Sequence, residues 1–549
     1  MTEVRWTPLY GEGVDPDPQL PDTTVLEMFR DRVGEDPDAV ALHYFGRDLT
    51  RREVDRLSDV VARGLTHLGV WQGDRVAVSL QNTPAFVLTL LAAWKVGAIV
   101  VPVNPMLRGK ELSHVIGDSE PRVFVCHPDM APVVDEVRDT TGLDVSVLWS
   151  RPGDFAGDVP GPWKDDAGLP ASATTFEELL DAVEDGTAPG RDGWADPRPD
   201  DLALLTYTSG TTGPSKGAMS THTNLVYQAV VSREWFGLGA DDRILTTAPF
   251  FHITGLGLHL ATGLGGGIPM VLTYRFEPAT VLGLMERYRP TFTVGAITAF
   301  IALADRAEPG AAAMAAMGNA FSGGAPVAQS VVDRYERDFG VYVHNIYGLT
   351  ESTSACIGVP RGQRAPVDEA SGALAIGVPM PGANVCVVDE SGAEVPPGTA
   401  GELVVRGPMV GTGYWNRPDE TANAFRPLGL HTGDVGVMDE QGWVFIVDRK
   451  KDLLVVSGYK VWPREVEDVL YLHPAVREAA VVGRPDDYQG ESVQAFVALR
   501  SGQTATAEEL REHCRRNLSA YKCPRTVEFL DDLPKTATGK ILRRELKEA

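Results

Sequence analysis

The apolar and polar positions in residues 50–69 follow the spacing of an amphipathic helix. Thr50 and Glu53 have the spacing of a capping box, in which two side chains satisfy backbone N–H groups at the start of a helix. Apolar residues then recur every three or four positions, which predicts one buried helix face. They are Val54, Leu57, Val61, Leu65 and Leu68.

Shorter apolar segments follow in an order that favours a layered α/β fold. Residues 76–80 and 98–103 are predicted as buried strands, and residues 85–96 between them as a buried helix. Strand–helix–strand order favours a parallel sheet with crossover helices on its faces. Residues 242–248 are predicted as a further strand, whereas residues 151–200, rich in Asp, Gly and Pro, are predicted as a long surface excursion.

The character of the chain changes twice towards its C-terminus. Residues 384–448 contain short β-type runs separated by Gly- and Pro-rich turns, which indicates a β-rich subdomain. The remaining residues alternate predicted strands and helices and have the pattern of an independent α+β unit. We place the boundary near residues 448–452, which divides the chain into domains of residues 1–448 and 449–549.

Length and charge narrow the classes of function. A chain of 549 residues is too long for one core and is expected to form two or more domains. Hydrophobic residues make up 43% and charged residues 23%, which is typical of a globular protein. Fifty Lys and Arg against 75 Asp and Glu give a net charge of −25, which opposes general nucleic-acid binding. An anionic substrate must then be held by local positive charge, so Lys and Arg residues inside motifs are candidates for binding it.

Cysteine usage and hydropathy indicate a cytoplasmic protein. The five cysteines show neither a CxxC motif nor a metal-ligand spacing, which suits a reducing compartment. The first 22 residues contain no apolar signal core, and no apolar run reaches the roughly 18 residues of a spanning helix. Membrane contact is expected to be peripheral at most, and the oligomeric state is left open, a homodimer included.

A run of hydroxyl residues, glycines and one lysine at residues 206–217 predicts a phosphate-binding loop. Its sequence is TYTSGTTGPSKG, and it follows an apolar strand pattern at residues 202–205. Glycine lets backbone N–H groups approach a phosphate closely, and Lys216 adds a positive charge. The run lacks the Gly-Lys-Ser/Thr of a P-loop, and Pro214 interrupts it. It is therefore a phosphate loop of another kind, with a polar surface loop as the alternative.

Seven motifs in a fixed order give the chain a resemblance to a known family. Besides residues 206–217 they are PFFHITG (249–255), FSGGAPV (321–327), NIYGLTES (345–352), HTGD (431–434), DRKKDLLVVSGYKVWPREVE (448–467) and PKTATGKILRREL (534–546). From about residue 24 onwards the chain resembles the acyl- and aryl-CoA synthetases of the adenylate-forming superfamily, which also includes firefly luciferase and the adenylation domains of peptide synthetases. The resemblance implies an α/β fold. A large N-terminal domain would contain two α/β subdomains and a small β-rich subdomain, and the C-terminal domain would be a small mobile α+β unit.

The resemblance also implies a two-step ligase that uses ATP, Mg²⁺ and coenzyme A. A carboxylic acid, expected to be a medium- or long-chain fatty acid, attacks the α-phosphate of ATP and gives an acyl-adenylate and pyrophosphate. The thiol of coenzyme A then displaces AMP. The first step joins two anions, so it needs positioned positive charge, a metal and backbone donors.

The same resemblance implies the residues of the nucleotide site. Glu351 is expected to hold Mg²⁺, with Thr208 as a weaker candidate, because this cation prefers oxygen ligands. Tyr347 is expected to stack on adenine and Asp434 to accept the ribose hydroxyls. Lys540, on the moving domain, is expected to orient the carboxylate and the α-phosphate. The catalytic set is Lys540, Thr350 and Glu351. The expected ATP-binding set is Thr208, Ser209, Gly210, Thr211, Thr212, Gly213, Lys216, Gly324, Ala325, Pro326, Asn345, Tyr347, Gly348, Thr350, Asp434, Arg449 and Lys540.

Three further groups of residues follow from the resemblance. The acyl pocket is expected to contain Phe251, His252, Gly255, Gly295 and Gly323, with small residues leaving volume for the acyl chain. The pantetheine tunnel is expected to contain Ser457, Gly458 and Tyr459, and the hinge between the domains to lie at Lys451. For His252 a gating role and simple packing both stay open. General-base chemistry is not expected of it, because a carboxylate is already deprotonated at neutral pH.

Several other functions are alternatives to this hypothesis. An aryl- or other carboxylate–CoA ligase, or an enzyme that loads a carrier protein, fits the same motifs. An amino-acid adenylation domain is disfavoured because His252 cannot supply a fixed negative charge for an ammonium group. Nothing specifies the oxygen chemistry of a luciferase. A catalytically dead binding protein is opposed by the intact set Lys216, Glu351, Asp434 and Lys540.

Overall fold

The computed structural model describes residues 5–163, 168–169, 173–179, 194–208, 214–325, 327–368, 373–449, 454–456, 459–486, 490–536 and 539–548. Of residues 162, 447–449, 455, 460, 490 and 548 the backbone alone is described. Two mixed sheets flanked by helices and an antiparallel sheet form a large N-terminal domain, and a further sheet with its own helices forms a smaller C-terminal domain. The fold is therefore mixed α/β, as the sequence predicts.

One sheet of the large domain is parallel in its centre and antiparallel at both edges. Its strands, from edge to edge, are β16 (Val378–Pro379), β15 (Ser354–Gly358), β14 (Val343–Leu349), β13 (Asn319–Ser322), β12 (Phe292–Gly295), β10 (Ile244–Leu245), β11 (Met270–Val271), β1 (Val40–Tyr44) and β2 (Arg47–Thr50). The segments that follow β13 and β14 contain predicted site residues, and β12 ends at another, Gly295. This agrees with the general rule that open α/β sheets bind ligands at the carboxyl ends of their strands.

A second sheet places the phosphate loop at one of its ends. Its strands are β19 (Gly413–Tyr414), β9 (Gly217–Thr221), β8 (Leu202–Tyr207), β4 (Ile99–Pro102), β3 (Arg75–Ser79), β5 (Val123–Cys126), β6 (Ser146–Trp149) and β7 (Thr174–Thr175). The strands β8, β4, β3, β5, β6 and β7 are parallel to one another. At the other edge, β9 pairs antiparallel with both β8 and β19. The predicted strand–helix–strand unit of β3, a helix and β4 is confirmed.

The third sheet is antiparallel, and the fourth belongs to the small domain. The third contains β17 (Asn384–Val388), β18 (Gly401–Arg406), β21 (Gly429–Met438), β20 (Phe425–Arg426) and β22 (Val444–Arg449). The fourth contains β24 (Tyr459–Val461), β23 (Leu454–Val456), β26 (Gly490–Leu499), β25 (Val476–Asp486) and β27 (Thr526–Phe529). The domain boundary at residues 448 and 449 stays a prediction, because residues 450–453 lie outside the described residues.

The helices cover the sheets, and several of them are capped at the N-terminus by a side chain. In the large domain they are α1 (Val25–Glu35), α2 (Arg51–His67), α3 (Pro84–Lys95), α4 (Gly109–Ser119), α5 (Ala131–Thr141), α6 (His222–Trp235), α7 (Thr262–Gly266), α8 (Pro278–Tyr288), α9 (Ile297–Ala304), α10 (Ala312–Ala315), α11 (Gln329–Phe339) and α12 (Pro418–Ala424). In the small domain they are α13 (Pro463–Tyr471), α14 (Ala507–Asn517) and α15 (Arg543–Glu548). A π-helical segment, Gly255–Ala261, precedes α7. The predicted capping box of Thr50 and Glu53 at the start of α2 is confirmed.

The strand predicted at residues 242–248 is too long. The strand β10 contains two residues, Ile244 and Leu245. The amide nitrogen of Asn82 donates to the carbonyl oxygens of Thr246 at 2.7 Å and of Ala248 at 3.0 Å. Because these carbonyls bind a side chain, residues 246 and 248 do not continue the strand. No local sequence pattern predicts these long-range hydrogen bonds.

The predicted surface excursion at residues 151–200 is wrong in part. Leu179 is buried and fills the space beside Gly64 of α2, where a Cβ atom would lie 2.6 Å from its Cδ1. Phe176 is also buried, and the indole N–H of Trp194 donates to the hydroxyl of Thr66 at 3.2 Å. Part of the segment therefore packs against α2.

A buried ionic cluster joins α2 to α3. The side chain of Lys95 is 1% exposed, and its Nζ lies 2.7 Å from Asp55 Oδ1 and 2.8 Å from Asp59 Oδ1. The same nitrogen donates to the Ser58 hydroxyl at 2.9 Å and to the Asp55 carbonyl at 2.9 Å. Removing one partner of such a cluster leaves buried charge uncompensated.

We predict that Lys95→Ala lowers the free energy of unfolding by about 3–5 kcal/mol, because two carboxylates lose their buried partner. Arg52→Ala is the matched control, since Arg52 forms an exposed pair with Asp38 at 3.1 Å and such pairs contribute about 1 kcal/mol or less. Urea unfolding followed by tryptophan fluorescence measures both. Equal losses in the two variants would contradict the assigned role of Lys95.

Candidate active site

The phosphate loop connects two antiparallel strands, β8 and β9. The backbone N–H of Thr208 donates to the Lys216 carbonyl at 2.9 Å, and Tyr207 pairs with Gly217. The loop is therefore closed at its base like a hairpin. Five of the predicted ATP-binding residues lie outside the described residues: Ser209, Gly210, Thr211, Thr212 and Gly213.

Residues of α4 brace the base of this loop. Tyr207 Oη donates to Asp118 Oδ2 at 2.6 Å, and a ring nitrogen of His114 lies 2.8 Å from the Ser215 carbonyl oxygen. The indole N–H of Trp415 donates to the backbone carbonyl of Asp118 at 3.2 Å. Contacts from two other parts of the chain thus position the loop, and sequence reasoning missed them.

Tyr414 connects the phosphate loop to the predicted metal ligand. Its hydroxyl donates to Glu351 Oε1 at 2.6 Å, and the Nζ of Lys216 lies 4.9 Å from the centre of its ring. Burial and the charge of Glu351 both raise the pKa of Tyr414, so the phenol stays protonated and acts as the donor. A lysine over an aromatic face is attracted by the ring quadrupole. Sequence reasoning missed Tyr414, although the aromatic pair YW after GTG was a visible signal.

A tight turn between β14 and β15 presents Glu351. Gly348 permits it, because a Cβ atom there would lie 1.7 Å from the Ser354 carbonyl oxygen. Thr353 and Ser354 adopt positive φ angles of 47° and 98°. Residues other than glycine rarely adopt such backbone angles. The carbonyl of Glu351 accepts a hydrogen bond from Gly411 N–H at 2.8 Å. Such strain is typical of functional turns that their surroundings hold in place.

The predicted adenine and ribose residues are joined by a hydrogen bond. Tyr347 Oη donates to Asp434 Oδ2 at 2.8 Å, and Asp434 is 4% exposed. Burial and the neighbouring carboxylate raise the pKa of Tyr347 well above its usual value, so this phenol remains a donor. Asn345 uses its amide nitrogen in a 2.9 Å hydrogen bond to the Ala375 carbonyl. Its contact with a nucleotide, and those of Tyr347 and Asp434, stay predictions.

Other predicted nucleotide residues are described only in part. Gly324, with φ of 79°, and Ala325 lie in the turn after β13. Pro326 lies outside the described residues. The backbone of Arg449 pairs with that of Asp434, whereas its side chain is not among those described.

The motif around His252 is anchored by Asn82. The side-chain oxygen of Asn82 accepts a hydrogen bond from Phe250 N–H at 2.8 Å, so this amide fixes both strand β10 and the motif. Thr254 N–H donates to His252 Nδ1 at 3.3 Å, which places the proton of the neutral ring on Nε2. Burial and the charge of Lys540 lower the pKa of His252 to about 4. Phe251 is buried in the main core.

The structure corrects the reason given for the acyl-pocket glycines. A Cβ atom on Gly255 would lie 2.2 Å from the Pro249 carbonyl oxygen, and one on Gly323 would lie 2.8 Å from that of Ile346. A Cβ atom on Gly295 would lie 2.9 Å from Thr247 Oγ1. The space beside each glycine is therefore filled by protein atoms. These glycines allow close packing, and their contact with an acyl chain stays a prediction.

The loop that carries Lys540 lies against the large domain. The hydroxyl of Thr298 donates to the Gly539 carbonyl at 3.2 Å, and Lys540 is close enough to His252 for its charge to lower the histidine pKa. The motif at residues 534–546 thus contacts α9 of the large domain, and its Lys540 lies near the motif at residues 249–255. Other contacts between the domains include those of Arg464 with the Val327 carbonyl, Ser330 with the Tyr471 carbonyl and Arg500 with Asp305.

The residues predicted for coenzyme A and for the hinge are described least. Tyr459 is 60% exposed and its ring stacks on Tyr521, with ring centres 4.8 Å apart. Ser457, Gly458 and Lys451 lie outside the described residues. The tunnel and the hinge therefore stay predictions.

Two features of the described residues bear on metal and membrane binding. No group of three or more His, Cys, Asp or Glu side chains there has the geometry of a metal site. None of the described helices is both long and apolar enough to cross a bilayer. A single carboxylate such as Glu351 fits Mg²⁺, which is usually held by one or two carboxylates together with substrate phosphates.

Family models match most of the chain. A model described as AMP-binding enzyme matches residues 29–415, and one described as AMP-binding enzyme C-terminal domain matches residues 465–540. The chain belongs to the family of AMP-binding enzymes. This confirms the resemblance to the adenylate-forming superfamily and makes the protein an enzyme.

Relatives within this family include ligases of aliphatic and aromatic acids. A long-chain-fatty-acid–CoA ligase of Bacillus subtilis (strain 168) is 33% identical over 563 residues, which cover 100% of this chain and 98% of the relative. A feruloyl-CoA synthase of Amycolatopsis sp is 36% identical over 511 residues, which cover 93% of this chain and 96% of the relative.

Solved structures of family members share the fold. The anthranilate CoA ligase AuaEII in complex with anthranoyl-AMP has a TM-score of 0.84 at 26% identity, covering 96% of this chain and 98% of that one. ATP-bound MatB from Rhodopseudomonas palustris has a TM-score of 0.81 at 30% identity, covering 96% and 99%.

We predict that His252 contributes a pH-dependent part of the stability. Its pKa is about 4 in the folded protein and about 6.5 in an unfolded chain, so the unfolded chain binds more protons between these values. Stability is therefore lost as the pH falls from about 6.5 to 4, by at most about 1.4 kcal/mol per pH unit from this group.

The free energy of unfolding, measured between pH 7 and 4, tests this prediction. His252→Gln is expected to show a shallower slope than the parent protein. His67→Gln, at an exposed histidine that ends α2, is the control for loss of a histidine away from the site. A parental slope in His252→Gln would contradict the prediction.

Proposed function

We propose that the protein is an ATP-dependent carboxylic acid–CoA ligase that acts on medium- or long-chain fatty acids. The observation that carries the proposal is the contact of the Lys540 loop with the large domain, where the Thr298 hydroxyl donates to the Gly539 carbonyl at 3.2 Å, on a chain that matches a long-chain-fatty-acid–CoA ligase along its whole length. The seated Lys540 loop favours an arrangement suited to the first half-reaction.

In the first half-reaction a carboxylate oxygen attacks the α-phosphorus of ATP. A phosphorus–oxygen bond forms, the bond to the β-phosphate breaks, and pyrophosphate leaves with the electron pair. Lys540 orients the two anions and offsets the negative charge that develops between them. Because the acid is already ionised, no general base is needed, which agrees with a neutral His252.

The nucleotide is held by residues of three sheets. Thr208 and Lys216 of the phosphate loop bind the β- and γ-phosphates, together with the residues between them. Thr350 contacts the α-phosphate from the strained turn, Tyr347 stacks on adenine, and Asp434 accepts the ribose hydroxyls. The hydrogen bond from Tyr347 to Asp434 orients both side chains for this role.

Glu351 would hold Mg²⁺ together with the phosphates. The bound cation would offset phosphate charge on the leaving pyrophosphate. Tyr414 donates to Oε1 of Glu351 and so orients the carboxylate. The same ring carries Lys216 over its face, which couples the metal ligand to the phosphate loop.

In the second half-reaction the sulfur of coenzyme A attacks the acyl carbon, the thiol proton is lost, and AMP leaves. This step needs the small domain of residues 449–549 to rotate about Lys451, so that Ser457, Gly458 and Tyr459 replace Lys540 at the site. The exposure of Tyr459 is consistent with a surface that becomes covered after rotation. Few backbone dihedrals suffice for such a motion.

Aromatic acids are the second candidate class of substrate. The feruloyl-CoA synthase and the anthranilate CoA ligase among the relatives favour it, because they act on aryl acids with the same fold. A carrier-protein thiol in place of coenzyme A is the remaining alternative. The cytoplasm, which supplies ATP and coenzyme A, is the proposed compartment, and all five cysteines are free thiols.

Release of AMP in a screen of acids tests the proposed function. Octanoate, palmitate, ferulate and benzoate are each supplied with ATP and Mg²⁺, with and without coenzyme A. We expect AMP release that depends on coenzyme A and is fastest with a fatty acid. A preference for ferulate or benzoate would support the aryl alternative, and no AMP release with any acid would contradict the ligase.

We predict that Lys540→Ala lowers the rate of adenylate formation by about 10²- to 10³-fold, the usual effect of removing a group that stabilises transition-state charge. Thioester formation from supplied acyl-adenylate should keep the parent rate, because Lys540 acts in the first half-reaction. Lys547→Ala, at an exposed lysine of α15, is the control. Equal losses in both half-reactions of Lys540→Ala would contradict this division of labour.

We predict that Glu351→Gln raises the Mg²⁺ concentration needed for half-maximal turnover by about tenfold or more. Tyr414→Phe keeps the carboxylate but removes its hydrogen bond, so it should give a smaller shift in the same direction. Both variants should melt near the parent temperature. An unchanged Mg²⁺ titration in Glu351→Gln would remove this residue from the metal site.

A further inference from the structure

The turn that carries Lys540 is fixed by its own hydrogen bonds. Gly539 N–H donates to the Thr536 carbonyl at 2.9 Å, and Lys540 N–H donates to the Thr536 hydroxyl at 3.1 Å. In return the N–H of Thr536 donates to the Lys540 carbonyl at 2.7 Å. The backbone at Lys540 is thus held within the small domain, so an additional contact must define its position in the large domain.

Thr298 of the large domain supplies such a contact. It is the second residue of α9, which begins directly after the end of β12. Its hydroxyl donates to the Gly539 carbonyl at 3.2 Å. The acceptor is the carbonyl of the peptide group that joins Gly539 to Lys540, so the hydrogen bond acts directly on the backbone of the lysine.

The shape of Gly539 matches this seat. Its φ angle is 82°, and a Cβ atom would lie 2.5 Å from Thr298 Oγ1 and 3.3 Å from the Cβ of Ala296. Glycine therefore allows both the backbone conformation and the close approach to α9. The other contacts between the domains, such as that of Ser330 Oγ with the Tyr471 carbonyl at 3.4 Å, end far along the chain from Lys540.

We propose that Thr298 is a positioning residue for the first half-reaction, in which its hydroxyl seats the Gly539–Lys540 peptide and so places the lysine at the reacting carboxylate and phosphate. This inference rests on the proposed function, because it assigns Thr298 to the adenylate-forming step. The bond breaks when the small domain rotates. Thr298 therefore acts in one half-reaction and not in the other.

The variants Thr298→Val and Thr298→Ser separate the hydroxyl from the shape of the side chain. In single-turnover experiments with ATP and the preferred acid, Thr298→Val should form adenylate about 3- to 10-fold more slowly, the range expected for one lost hydrogen bond. Thr298→Ser should keep the parent rate. Thioester formation from supplied acyl-adenylate should be unchanged in both variants.

Ser330→Ala is the matched control, because it removes another hydroxyl-to-carbonyl bond between the domains. Its rate of adenylate formation should stay within about twofold of the parent rate. A loss as large as that of Thr298→Val would mean that general docking of the domains is affected, and would overturn the proposal. A parental rate in Thr298→Val, or equal losses in both half-reactions, would overturn it as well.

Labelling of Lys540 provides a readout that needs no activity. An amine-reactive N-hydroxysuccinimide ester is added in limiting amount, and acylation of Lys540 is measured by mass spectrometry relative to the exposed Lys547. Lys540 should be labelled faster in Thr298→Val than in the parent protein or in Thr298→Ser. An unchanged labelling rate in Thr298→Val would contradict the proposal that the Thr298 hydroxyl positions the Gly539–Lys540 peptide. Faster labelling in a protein that adenylates no acid would support the seat and reject the proposed function.

Discussion

The reaction brings two anions together, and this constraint explains how the site is divided between two domains. The chain carries a net charge of −25, so the positive charge at the site must be local. Lys216 belongs to a hairpin of the large domain, where the ring of Tyr414 supports it and connects it to Glu351. Lys540 arrives on the small domain and is seated through Gly539. Fixed groups can hold the nucleotide between half-reactions, whereas a removable lysine leaves room for a second substrate.

The geometry around the site depends on close backbone packing more than on large side chains. Gly348 lets the turn that presents Glu351 fold back on itself, and Gly257 of the π-helical segment packs against the same turn. A Cβ atom on Gly257 would lie 2.9 Å from that of Ser354 and 3.1 Å from the Thr353 carbonyl. The π-helical segment that follows the motif around His252 is therefore in direct contact with the turn at Glu351. A displacement of the π-helical segment is expected to shift the turn at Glu351, because packed interiors transmit strain.

Local features and the α/β class of the fold were predictable from the sequence, whereas individual long-range contacts were not. The capping box of Thr50 and Glu53 involves residues three positions apart and is confirmed. The short strand β10 depends on Asn82, more than 160 residues away. Tyr414 and Thr298 were missed for the same reason, since their partners lie far along the chain. Gly255 was predicted to leave volume for the acyl chain. A glycine is needed there because protein atoms pack closely against it, and this packing is visible only in the structure.

The proposed mechanism requires that the enzyme forms an adenylate while the Lys540 loop of the small domain contacts the large domain, before any thiol takes part. Exchange of labelled pyrophosphate into ATP, measured with a fatty acid and Mg²⁺ but without coenzyme A, tests this most directly. We expect exchange that depends on the acid and proceeds in the complete absence of coenzyme A. Exchange that needs coenzyme A, or that proceeds equally well without an acid, would contradict a reaction through a separate acyl-adenylate.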